Sequence, residues 1–125
     1  MSLIDEAIRT VLLANTAVYN TVGTRIYPLK LPLVCTFPAV SYFFPSDPYN
    51  RIASSATLQI DCWALDYTEC KNLKIAIEKA LDGYSNTVLG INIEGIYPID
   101  SRDQDEPDDT ELFHIAYDFK VIYRR

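Results

Sequence analysis

A chain of 125 residues, 49% hydrophobic and 22% charged, suits one domain with a real core and is too ordinary in composition for global disorder. Its net charge of −6, with no basic patch, argues against general affinity for DNA or RNA, and no apolar run approaches the roughly 20 residues needed to span a bilayer.

The first segment, MSLIDEAIRT, carries acids where a secretory signal carries a basic stretch, so a cytosolic product is expected. Residues 2–15 read as a helix. Ser2 can cap it, Asp5 and Glu6 lie in the favourable first turn, and Leu3, Ala7, Val11 and Ala14 share a stripe with Ile4, Ile8 and Leu12 beside it. Asn15 and Thr16 mark its decay, and Gly23 breaks whatever continues. Residues 25–38, RIYPLKLPLVCTFP, hold three prolines and are expected as an extended, partly apolar connection.

AVSYFF then reads as a short strand ended by Pro45. Its hairpin partner is the clearest strand, 56–64, across a long 45–54 loop. In that strand Leu58, Ile60, Cys62 and Ala64 point one way, and Gln59, Asp61 and Trp63 the other. A second helix covers 67–81, opened by Asp66 and Glu69 as a capping box and closed by Gly83. Its buried face is Cys70, Leu73, Ile77 and Ala80/Leu81, with Lys71, Lys74, Glu78 and Lys79 facing water or a neighbour. Residues 87–97 form a third strand, with room for a bulge at Gly90 or Gly95, and 112–123 a fourth.

Between these last strands lies DSRDQDEPDDTE. Asp100, Asp103, Asp105, Glu106, Asp108, Asp109 and Glu111 face Arg102 alone, so this segment carries the whole net charge of −6. It is expected as an exposed loop over 100–111. The predicted fold is α+β in the order α-β-β-α-β-β, a four-stranded, mainly antiparallel sheet with two helices on one face.

Tests for chemistry are negative. His114 is the sole histidine, and no serine or cysteine motif supports it as a general base. Cys35, Cys62 and Cys70 fit neither zinc nor redox spacing and read as buried free thiols. Asp61 and Asp118 can share a sheet face as a carboxylate pair, but a surface charge network with Lys120 explains them more simply. The acidic segment lacks the glycine of a calcium loop, and no phosphate-binding glycine loop occurs. No catalytic residue, cofactor or metal ligand is assigned. Tyr42, Trp63 and Tyr117 are candidates for either core or interface.

The order of pieces resembles the tail completion, or tail terminator, proteins of long-tailed bacteriophages and prophages. The likeness is carried by Arg25-Ile26-Tyr27-Pro28, Phe37-Pro38-Ala39-Val40, Leu58-Gln59-Ile60-Asp61-Cys62-Trp63-Ala64, the capped helix with Leu73 and Ile77, Ala80-Leu81-Asp82-Gly83, and Phe119-Lys120-Val121-Ile122-Tyr123-Arg124. It implies a non-enzymatic subunit of a hexameric ring at the head-proximal end of the tail. Such a ring ends tail-tube growth and offers the head-joining surface. The implied partners are copies of itself, the tail-tube protein and a head–tail connector. DNA passes without being read, no membrane is involved, and the protein moves from host cytoplasm to virion tail.

In a closed ring each subunit presents two different surfaces. The 45–54 loop, the 28–36 connection and the less polar sheet face are the candidates, with Tyr42, Tyr49, Arg51 and Trp63 as possible interface residues. The acidic loop either lines the channel or docks on a basic partner. The rival readings are another head–tail joining or tail-tube-related part, or a cellular ligand-binding or regulatory module.

Overall fold

A computed structural model describes residues 3–48, 53–104 and 112–124. Ser2, Tyr49, Arg51, Asp105, Glu106, Asp108, Asp109 and Glu111 lie outside these stretches.

The first apolar stripe forms α1 (Ile4–Ala14), which buries Ile4, Ala7, Ile8, Val11 and Leu12. Leu3 stands at its N-cap position with no side-chain acceptor, so only the Glu6 carboxylate closes the turn, accepting from the Leu3 N–H at 3.4 Å. The expected decay at Asn15 is instead a new start. Asn15 is extended, and its side-chain oxygen accepts from the Val18 N–H at 3.1 Å, capping α2 (Thr16–Val22). Gly23 ends α2 at φ 59°, where a side chain would be strained. The third helix, α3 (Tyr67–Leu81), matches its predicted span: the Asp66 carboxylate accepts from the Glu69 N–H, and Cys70, Leu73, Ile77 and Leu81 are buried.

The proline-rich stretch is more than a connection. Ile26–Pro28 form β1, which runs parallel to β2 (Ala39–Ser46). Two arginines fasten it. Arg9 donates to the carbonyls of Ile26 and Thr24, and Arg25 to those of Pro38 and Thr21. β2 passes through Pro45 because its register with β3 (Ser54–Ala64) shifts between Phe43 and Ser46, a bulge that tolerates proline.

The third predicted strand divides. β4 (Asn86–Val88) turns at Leu89 and Gly90, with φ of 51° and 80°, into β5 (Ile91–Gln104). Two positive φ values in a two-residue hairpin follow the strand twist, but leucine at the first gives no sequence signal. β5 pairs with the last strand, β6 (Phe113–Arg124), as far as Gln104↔His114. Asp100 and Asp103 therefore lie in a strand, not in a loop.

The expected α-β-β-α-β-β order with four strands and two helices is thus corrected. The described chain holds three helices and one six-stranded sheet, ordered β1-β2-β3-β6-β5-β4 and parallel only at β1–β2. The additions are short strands and a short helix, whose apolar patterns are too brief to register as periodic. The predicted hairpin of β2 and β3 and the antiparallel pairing of the last two long strands are present.

The core lies between the helices and one sheet face. It joins Ile8 and Leu12 of α1, Val18 and Val22 of α2, and Leu73, Ile77 and Leu81 of α3 to Leu58, Ile60, Cys62, Ile115, Phe119, Val121 and Tyr123. The β3–β6 ladder runs unbroken from Ser54↔Tyr123 to Ala64↔Phe113, so strict alternation holds along both central strands.

Candidate functional site

Positions alternating with the core form the outer sheet face. Near one end of the β3–β6 ladder on that face, His114 Nε2 lies 2.9 Å from Asp61 Oδ1, the same oxygen that accepts from Gln59 Nε2 at 2.9 Å. The Trp63 and His114 rings stack at 3.8 Å, and the Trp63 indole N–H donates to the Ser41 hydroxyl at 3.0 Å. This cluster covers Asp61, which is only 5% exposed. The carboxylate costs little there because both neighbours bond to it. It is a structural arrangement. The Ser41 hydroxyl is itself buried as the indole's acceptor, and Cys62 points to the core.

Asp118 does not join Asp61. Across the β5–β6 pair Arg102 bridges Asp118 at 2.8 Å and Asp100 at 3.0 Å, and these carboxylates hold its guanidinium charged far into the alkaline range. Arg102, rather than Lys120, is the centre of the network here. Asp103 turns toward α3: the Tyr67 hydroxyl donates to it at 2.6 Å and Lys71 pairs with it at 3.3 Å. The Tyr67 bond, followed by Lys71, holds the Asp103 carboxyl below its ordinary value. Two of the seven segment acids are thus partnered in the sheet.

The tyrosines divide between core and surface. Tyr117 is buried and donates to Glu78. Tyr123 is buried and donates to both carboxylate oxygens of Asp47, anchoring the chain where it leaves β2. Tyr42 is buried but reachable, because it lines a cavity of about 540 Å³ with Leu3, Asp5, Glu6, Arg9, Thr10, Pro28 and Leu89. Burial, with Asp5 next, pushes its hydroxyl up to about 12. This cavity escaped sequence reasoning because its walls come from α1, from β1–β2 and from the β4–β5 turn at the opposite side of the strand order. The sheet curls into a half-barrel, so that residues from both of its margins line one cavity beneath α1.

Cys62 and Cys70 are buried free thiols as expected, with Cys70 Sγ donating to the Cys62 carbonyl, while Cys35 is only half-buried. Burial pushes the Cys70 thiol up to about 11 and Cys62 well above its ordinary value. Among the described residues no group of three or more His, Cys, Asp or Glu is placed to hold a metal ion, and no helix is long and apolar enough to cross a membrane.

The described residues form a small α+β domain whose polar clusters serve structure. The family model for tail completion protein gp17 matches residues 6–124, and the chain belongs to that family. It is a non-enzymatic structural protein of the phage tail-completion, or tail-terminator, type, which assembles with other tail components and enters the virion tail. In fold it is similar to a chain in a solved structure described as the virion of a native gene transfer agent (GTA) particle. That likeness has a TM-score of 0.76 at 16% identity, over 96% of this chain and 93% of that one. No curated protein sequence matches.

Proposed function

We propose that six copies of this chain close a ring at the head-proximal end of the tail tube, stop its growth, and present the surface that a head–tail connector joins. Membership of the tail-completion family over nearly the whole chain carries this reading. DNA passes through the ring without sequence recognition, in keeping with a net charge of −6 gathered in segment 100–111. Six copies bring about −36 charges to one assembly, a field that repels DNA if it faces the channel and attracts a basic partner if it faces outward. We assign the segment to the channel, where concentrated negative charge lets DNA pass without adhering.

Tails assembled without the protein test the role. Overlong, unterminated tubes are expected in negative-stain images; tubes of normal length that lack heads would move the protein to a neighbouring joining layer. Replacing Asp105, Glu106, Asp108, Asp109 and Glu111 by their amides tests the charge. Altered DNA ejection is expected, whereas normal ejection with lost head joining would place the segment on the outer surface.

A further inference from the structure

The most exposed aliphatic side chains of the described surface sit together on the 29–36 segment: Leu33 at 107%, Val34 at 93% and Leu29 at 67%. Hiding such side chains from water is favourable, and contiguous exposed apolar groups mark interaction sites. The cavity under α1 has the opposite shape. Leu3, Pro28, Tyr42 and Leu89 give it apolar walls, and its volume of about 540 Å³ accommodates more than one aliphatic side chain.

Charge also matches. Lys30 is the sole charged residue of 29–36, while the cavity rim carries Asp5 and Glu6. The rim's Arg9 is turned to the Ile26 and Thr24 carbonyls. Backbone strain points to the same two places. Among the described residues the non-glycine positions with positive φ are Leu29 at 69°, which opens the segment, and Leu89 at 51°, which lines the cavity. Such strain persists where the surrounding fold imposes it and gathers at functional positions.

We propose that the 29–36 segment of one copy seats Leu33 and Val34 in the α1 cavity of a second copy, with Lys30 against Asp5 and Glu6. The segment and the cavity are different surfaces, so the contact is head-to-tail and generates a ring when its rotation closes. The proposal rests on the ring reading above and names the junction between its subunits.

The experiment compares the full wild-type chain with Leu33→Asp/Val34→Asp, which spoils the segment, and Thr10→Trp, which fills the cavity. All three positions are exposed or on the helix surface, and circular dichroism checks each fold. Masses are read by ultracentrifugation, alone and on isolated tail tubes. Each variant should assemble at least about tenfold more weakly than wild type. An equal mixture of the two should give two-subunit complexes and nothing larger, because only one good junction remains. Lys30→Glu should lose assembly and regain it with Asp5→Lys/Glu6→Lys. A segment variant that assembles like wild type overturns the junction and leaves the ring standing, as does one that still forms rings but no longer binds tubes. A wild-type chain that stays monomeric in both settings overturns ring and junction together.

Discussion

The two faces of the β3–β6 pair share one backbone ladder and are closed in different ways. Toward the helices, Leu58, Ile60, Cys62, Ile115, Phe119 and Val121 are sealed by apolar contact with α1, α2 and α3. On the other side, Asp61, His114, Trp63, Ser41, Arg102 and Asp118 are joined by directed bonds and one ring stack. Apolar burial is additive and tolerant of detail, whereas the polar face depends on each partner being present.

The largest effect is therefore expected on the helix side. Phe119→Ala removes a fully buried ring from the centre of the sheet and should cost about 3–5 kcal/mol in urea unfolding. On the outer face, Asp61→Ala leaves Gln59 and His114 without their shared acceptor and should cost about 1–3 kcal/mol. Asp118→Ala disturbs only a half-exposed bridge and should cost about 0–1 kcal/mol. Equal losses for Asp61→Ala and Asp118→Ala would dissolve the distinction between a buried and an open polar cluster.

Titration sharpens the same contrast. The Cys70 thiol is raised from 9.0 to about 11 by burial, so its contribution to stability is complete below pH 9 and is lost as the pH rises through about 11. Native Cys35 should react with a thiol reagent first, and Cys62 and Cys70 only as the chain unfolds, as mass spectrometry can follow. The smallest effect lies at Asp103. Its lowered value means a contribution present above 3.8 and lost as the pH falls through the depressed value. Tyr67→Phe should move the Asp103 titration upward by NMR with little change in stability, since the pair is open to solvent.

Which side of β3 and β6 meets the helices was legible from alternation, and α3 from Asp66 and Gly83. The polar face was less legible. Residues 61 and 114 meet only because the β3–β6 register sets Asp61 beside Ala116 and Trp63 beside His114, and register across 53 positions leaves no local trace. Asn15 reads as an ending because a cap residue also resembles a helix terminator when an apolar stripe precedes it. The Leu89–Gly90 turn was hidden by a leucine where Asn or Asp is usual. The acids of 100–104 read as loop because strand pairing on an open face demands no apolar pattern. Leu33 and Val34 looked like ordinary connection residues, since their exposure is a property of the finished surface.

The cavity beneath α1, lined from both margins of the sheet, has a consequence for timing. Leu3, Tyr42 and Leu89 become neighbours only after strands far apart along the chain have found their places, and contacts of such long sequence separation are slow to form. A subunit junction proposed at this cavity would then work as an inspection step, admitting to the growing particle only those copies whose sheet is complete.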